Sequence, residues 1–177
     1  MRPEEEVMIR AEDAGNAQEL QNIRSTIEAA FGGLEEADLV DRLRAEGDAL
    51  ISVVAELDKR IVGHALFSRM FIQTPGGLVS AVALAPVAVL PNHQRRGIGG
   101  RMIRYGLDWL RGRGEKIVIV VGHRDYYPRF GFSHEIARTL ESPFSGESFM
   151  AMELSPGALD GVHGWVKYPA AFGLEDH

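Results

Sequence analysis

Apolar positions along this chain recur in two periods, and the change from one to the other falls near residue 49. A short apolar stretch at 7–10 reads as a first strand. Leu20, Ile23, Ile27 and the pair Ala30-Phe31 then recur every three or four residues, which places them on one face of a helix. Asp13 is the N-cap expected for that helix, and Gly32-Gly33 its end. A shorter helix over 35–46 turns Leu39, Val40 and Leu43 inward and stops at Gly47. From Ala49 the pattern is that of strands, over 49–57 and 60–70, with Asp58-Lys59 between them short enough for a hairpin. Thr74-Pro-Gly-Gly77 makes another turn, and 79–90 follows as a nearly continuous apolar strand, expected to be central and covered on both faces.

Pro86 interrupts that strand. Proline cannot donate to a ladder, so it marks a bulge or a place where pairing fails, unless the strand lies at an edge. The expectation is that the sheet starts to splay there. After the loop 91–96 a helix over 97–112 buries Ile98, Met102, Ile103, Leu107 and Leu110, and Gly106 on the same face lets it approach the sheet closely. The rest reads as a second apolar strand at 116–121, a helical turn at 126–130 and a last strand at 149–154. A tail of loops to 177 follows, with one short helix at 156–159. No repeat or linker breaks this order, so the pattern predicts one α/β domain over 1–177, its core at about 7–154 and a C-terminal extension at 155–177.

Composition narrows the function. The chain is 45% hydrophobic and 25% charged, as soluble globular proteins are. It has no cysteine, which excludes disulfides, thiolate metal sites and cysteine nucleophiles and suits a reducing cytoplasm. A net charge of −6 argues against a general nucleic-acid binder, whose affinity comes from neutralising phosphates. The first residues lack the apolar stretch of a signal peptide, and no run approaches a membrane span, so a cytoplasmic protein with no membrane partner is expected. The six histidines show no ligand spacing, and no metal is expected.

The segment with most chemical content runs from Val87 to Gly100, from strand through loop to the start of a helix. The first turn of a helix leaves N–H groups unpaired and carries positive potential, so it receives phosphate. Gly97, Gly99 and Gly100 let an anion come close to those groups. Arg95, Arg96, Arg101 and Arg104 crowd the same positive end, and the first acid within the helix is Asp108. A bound anion is the natural partner for that arrangement. Gly99-Gly100-Arg101 lacks the Gly-Lys-Ser/Thr of a Walker loop, and Met102 stands where a Rossmann fingerprint needs glycine.

Gln94-Arg-Arg-Gly97-Ile-Gly99 resembles the Gln/Arg-x-x-Gly-x-Gly/Ala signature of GNAT acetyltransferases, and Tyr126-Tyr-Pro-Arg-Phe-Gly-Phe132 resembles their Tyr-x-x-x-Gly-Phe stretch. The order of elements matches too, and the likeness is strongest over 84–132. The resemblance implies an α+β single domain with a mixed central sheet, splayed in the middle and flanked by helices. It implies acetyl-CoA as acetyl donor, cradled by Gln94, Arg95, Arg96, Gly97, Ile98, Gly99 and Gly100, with the backbone of Val87, Ala88 and Val89 along the pantetheine arm. The implied reaction is direct attack by an amine of a small molecule or a protein or peptide acceptor. The Val89 N–H would polarise the thioester carbonyl and Tyr127 would be the general acid.

The base is not specified. The strand at 116–121 lacks the glutamate that some relatives carry, which leaves His123, an acid from elsewhere such as Glu28 or Glu56, or a water chain. His64, on an apolar strand, reads as a core residue. A non-catalytic acyl-CoA-binding or sensing domain would need the same loop but not Tyr127, and a homodimer is left open.

Overall fold

Asn16, not Asp13, caps the first helix. In this computed structural model, which describes residues 6–144 and 146–174, helix α1 spans Ala17–Phe31 and the Asn16 side chain accepts from the Glu19 N–H at 3.1 Å. Asp13 instead closes a tight turn before the helix, its carboxylate accepting from the Gly15 N–H at 3.2 Å. Both are good cap formers, and the turn decides between them. Gly32 ends α1 with φ of 75°, a left-handed conformation that glycine adopts without strain. Phe31, expected on the buried face, lies at the frayed last position and is 43% exposed. Helix α2 (Glu35–Ala45) follows.

The strands are β1 (Met8–Ala11), β2 (Ala49–Leu57), β3 (Arg60–Thr74), β4 (Gly77–Val89), β5 (Ile117–Val121), β6 (Leu140–Glu141), β7 (Phe149–Glu153) and β8 (Gly164–Lys167). Helix α3 (Ile98–Gly112) joins β4 to β5. The hydrogen-bonded order is β1-β2-β3-β4-β5-β7, with β8 on β3 and β6 on β8. The β4–β5 ladder is parallel and its neighbours include antiparallel pairs, so the sheet is mixed as expected.

The chain divides into two units, and β3, β4 and α3 each contribute to both. The first holds the described residues through Phe67 together with Ala85–Gly106. In it β1 pairs antiparallel with β2 from Met8–Glu56 to Ala11–Val53. Arg10 of β1 binds Glu19 of α1 at 2.6 Å and Glu56 of β2 at 3.1 Å. The Thr26 hydroxyl ties α1 to the Ile61 carbonyl at 2.9 Å. Ile23, Ile27, Val40, Leu43, Val53 and Phe67 fill this core. Gly106 lets α3 sit on it, since a Cβ there would lie 2.1 Å from Cε2 of Phe67.

The second unit holds Ser68–Leu84 and the described residues from Leu107 onward. Here β4 and β5 pair at Val82–Val118 and Ala83–Ile119, and the ladder goes no further towards the cis peptide Ala85-Pro86. Pairing therefore fails where Pro86 was expected to end it. Arg69 of β3 grips Glu115 through both nitrogens, at 2.9 and 2.5 Å, and its Nη1 reaches the Ala81 carbonyl at 3.1 Å. Met70, Ile72, Ala81, Ile117, Ile119 and Phe149 pack beneath.

Two expectations for the C-terminal part fail. The strand at 149–153 is not the last, because β8 pairs with β3 at Phe71–Lys167, Ile72–Val166 and Gln73–Trp165. The residues at 156–159 form turns rather than a helix, with the Ala158 N–H donating to the Ser155 carbonyl at 3.1 Å.

Candidate functional site

The glycine-rich loop belongs to the first unit and takes its geometry from the end of β4. The Leu90 N–H donates to the Val62 carbonyl of β3 at 2.9 Å. Backbone direction alternates along a strand, so the N–H groups of Val87 and Val89 point to the opposite edge, away from β3. Ala88 is buried, and its carbonyl is near the backbone of Gly63, where a Cβ would come within 3.2 Å of it. The Gln94 side-chain amide donates to the Val89 carbonyl at 3.0 Å, which folds the loop back onto the strand end and leaves the Val89 N–H unused by that contact.

Pro91–His93 make a 3-10 turn, and two left-handed residues, Arg95 (φ 66°) and Gly97 (φ 79°), turn the chain into α3. The Gly97 carbonyl accepts the first helical bond, from the Arg101 N–H at 3.1 Å. The N–H groups of Ile98, Gly99 and Gly100 precede that bond and have no acceptor within the helix. Ile98 and Gly100 are buried, and Gly99 is half-buried. No acidic residue stands in the first turn of α3, so the helix dipole and the arginines there act in the same direction. The residues predicted to cradle a pyrophosphate, Gln94 to Gly100, thus form one continuous strand–loop–helix site with positive potential.

Tyr127 belongs to the second unit. It opens the 3-10 turn Tyr127–Phe130, which follows β5 after Gly122 and His123. The backbone N–H groups of Tyr126 and Tyr127 both donate to the His123 carbonyl, at 3.1 and 3.2 Å, and fix the turn. The Tyr127 ring packs edge-on to Tyr126 at 5.1 Å and to Phe132 at 5.8 Å. It lies so close to Gly122 that a Cβ there would sit 2.2 Å from its Cε2. Burial, with a smaller contribution from neighbouring Tyr126, pushes the Tyr127 phenol up to about 12. It stays protonated through the neutral range.

Two of the base candidates are held by arginines: Glu28 by Arg24 at 3.0 Å and Glu56 by Arg10 at 3.1 Å. The His123 residue is exposed. His64 is fully buried, with Nε2 2.6 Å from Ser52 Oγ and Nδ1 without a partner among the described residues. The Ser52 hydroxyl also bonds Glu12, whose carboxylate is gripped by Arg44. An ionised carboxylate only accepts, so Ser52 donates to Glu12 and receives from Nε2–H. Desolvation, aided by the Arg44 charge, pushes His64 down to about 3, so it is neutral with its proton on Nε2. Sequence reading placed His64 in the core but missed this buried chain, whose members are scattered over four segments. Among the described residues no group of three or more His, Asp or Glu is placed to hold a metal ion, and no helix is long and apolar enough to cross a membrane.

A mixed sheet whose β4–β5 ladder stops short of Pro86, followed by a helix whose first turn has free N–H groups and no acid, defines the class of fold as α/β. The family model for the GNAT acetyltransferase domain matches residues 13–134, and the chain belongs to that family. The uncharacterized N-acetyltransferase YjhQ of Escherichia coli K12 is 42% identical over 113 residues, which cover 63% of this chain and 62% of that protein. The chain thus spans less than two thirds of that relative's length. Among solved structures, the E. coli GNAT family N-acetyltransferase YhbS in complex with CoA superposes with a TM-score of 0.85 at 29% identity, covering 96% of this chain and 93% of that one. A GNAT family acetyltransferase from Brucella melitensis in complex with acetyl-CoA is 36% identical, with a TM-score of 0.77 and coverage of 94% and 97%.

Proposed function

We propose that this protein transfers an acetyl group from acetyl-CoA to a primary amine of a small molecule or of a protein or peptide. The start of α3 carries the reading: three N–H groups with no helical acceptor, no acid in the first turn, and glycines where a pyrophosphate would lie. The two similar structures described with CoA and acetyl-CoA support it. Acetyl-CoA supplies an activated acyl carbon and a thiolate leaving group. The amine nitrogen attacks that carbon and the C–S bond breaks as the new C–N bond settles. The Val89 N–H, directed away from β3, would hydrogen-bond the oxygen on which negative charge develops. Tyr127, neutral at the working pH, would give its proton to the departing sulfur. An exposed His123 or water would take the proton that the amine loses, since Glu28 and Glu56 are engaged by arginines.

Two measurements test the proposal in order. Acetyl-CoA and CoA should raise the melting temperature, while ATP and NAD should not. An acceptor screen over polyamines, amino sugars, amino acids and peptides should then release thiol with at least one class. Inertness to millimolar acetyl-CoA would overturn the reading, and binding without turnover on any amine would leave an acyl-CoA sensor in its place.

A further inference from the structure

We propose that the cavity between α1 and the start of β3 is a second ligand site, for a small organic oxyanion with a carboxylate or phosphate head on a short apolar body. The cavity has a volume of about 350 Å³ and lies wholly within the first unit. That volume is within the range of small-molecule sites and too small for a polymer. None of the residues assigned above to acyl transfer lines it. Its apolar floor is Ile61, Leu90 and Ala29, with Thr26, whose hydroxyl is committed to the Ile61 carbonyl at 2.9 Å and the Asn22 carbonyl at 3.0 Å. Leu90 spends its N–H on Val62 of β3, so this wall faces away from the strand edge that Val87 and Val89 offer.

The rim sets the chemistry. Lys59 and Arg60 line the cavity, and among the described residues neither forms an ion pair. Arg24, on the same helix as Asn22 and Ser25, is gripped by Glu28, Asp38 and Asp41, so those nearby carboxylates are already engaged. In a chain with 25 acidic and 19 basic residues, two unmatched cations at one cavity stand against the excess of carboxylates. Asp58, next in the chain, does not line it. Asn22 accepts from Gln18 through Oδ1 at 3.0 Å, which leaves its NH₂ as a donor on the rim.

Lys59 is also misplaced for a mere turn. Asp58 and Lys59 form a two-residue hairpin loop with φ of 51° and 64°. The second position of such a loop favours glycine, and an L side chain there is strained. The turn thus places a cation beside Arg60 on the cavity rim, at a position where backbone geometry favours glycine.

The test is nuclear magnetic resonance on the full chain, saturated with CoA so that an anion cannot report from the glycine-rich loop. Whether CoA itself binds is read from resonances at Ile98 to Gly100, so failure of the acetyl-transfer reading would be seen separately. Phenyl phosphate and butanoate are the charged probes and phenol the neutral control. Saturable shifts are expected at Asn22, Ser25, Ile61 and Leu90 with a charged probe and none with phenol. Response to only one charged probe identifies the head group. Lys59→Gly combined with Arg60→Gln should weaken binding at least tenfold, while the melting temperature holds or rises because glycine relieves the turn. No saturable shift at these residues, an equal response to phenol, or unchanged binding by the double variant would overturn the proposal.

Discussion

Tyr127 is half-buried and His64 fully buried, and desolvation keeps each neutral, by raising the phenol and lowering the imidazole. For Tyr127 this leaves a protonated phenol at any physiological pH, as the proposed role of general acid requires. Tyr127→Phe should lower turnover by roughly 10²–10⁴-fold, the range for losing a general acid, while acetyl-CoA affinity stays within a few-fold. Tyr126→Phe is the control, and its turnover should stay near that of the parent. Single-turnover kinetics with an identified acceptor decide this. Equal rates in Tyr127→Phe and the parent would remove the phenol from the chemistry. For His64 the consequence is stability. Its folded pKa, near 3, lies below the unfolded value of about 6.5, so the unfolded chain binds a proton that the native state refuses. That contribution is fully present above about pH 6.5 and is lost as pH falls towards 3, with a slope of up to about 1.4 kcal/mol per pH unit. Urea unfolding of the parent and of His64→Gln at pH 7, 6 and 5 should show the parent losing stability faster by that slope.

Elements depend on a few close approaches that a sequence shows only in part. Gly106→Ala should gain up to about 1 kcal/mol of helix propensity, yet its Cβ would sit 2.1 Å from the fully buried Phe67 ring. Overpacking of that kind costs about 1–3 kcal/mol, so net destabilisation is expected. Phe67→Leu in the same chain should recover part of it, as a double-mutant cycle by chemical denaturation would measure. The need for a small residue here was legible, because Gly106 falls on the apolar stripe of its own helix. The strand at 49–57 was legible to the residue, since its nearly continuous apolar run is bounded by a glycine-acid pair and a tight turn. β8 was not, because four residues carry too little pattern and pair with β3 almost a hundred positions earlier. In the site, Gln94 to Gly100 could be read because glycines and arginines encode a backbone path and a charge. Tyr127 came from resemblance alone, and its contact with Gly122 exists only in three dimensions.

At the scale of the whole molecule, ligand binding and folding are linked. A ligand that binds only the native state stabilises it by about 2.7 kcal/mol at a hundred times its Kd, which for a chain of 177 residues is roughly 5–10 °C. Gly99→Val should abolish that shift for acetyl-CoA and leave the ligand-free melting temperature within a few degrees of the parent, since its branched side chain would occupy the space of the anion. Differential scanning fluorimetry reads both quantities, and an undiminished shift would move the anion elsewhere. The interleaving of the two units has a consequence for anyone cutting the gene. The first unit closes only with Ala85–Gly106, and the second begins with Ser68–Leu84, ahead of that insertion. No contiguous fragment encodes either one without carrying part of the other. A break in the exposed turn between Thr74 and Gly77 would yield two polypeptides that each lack strands of their own unit, so such halves suit a complementation reporter, silent apart and folded only when made together.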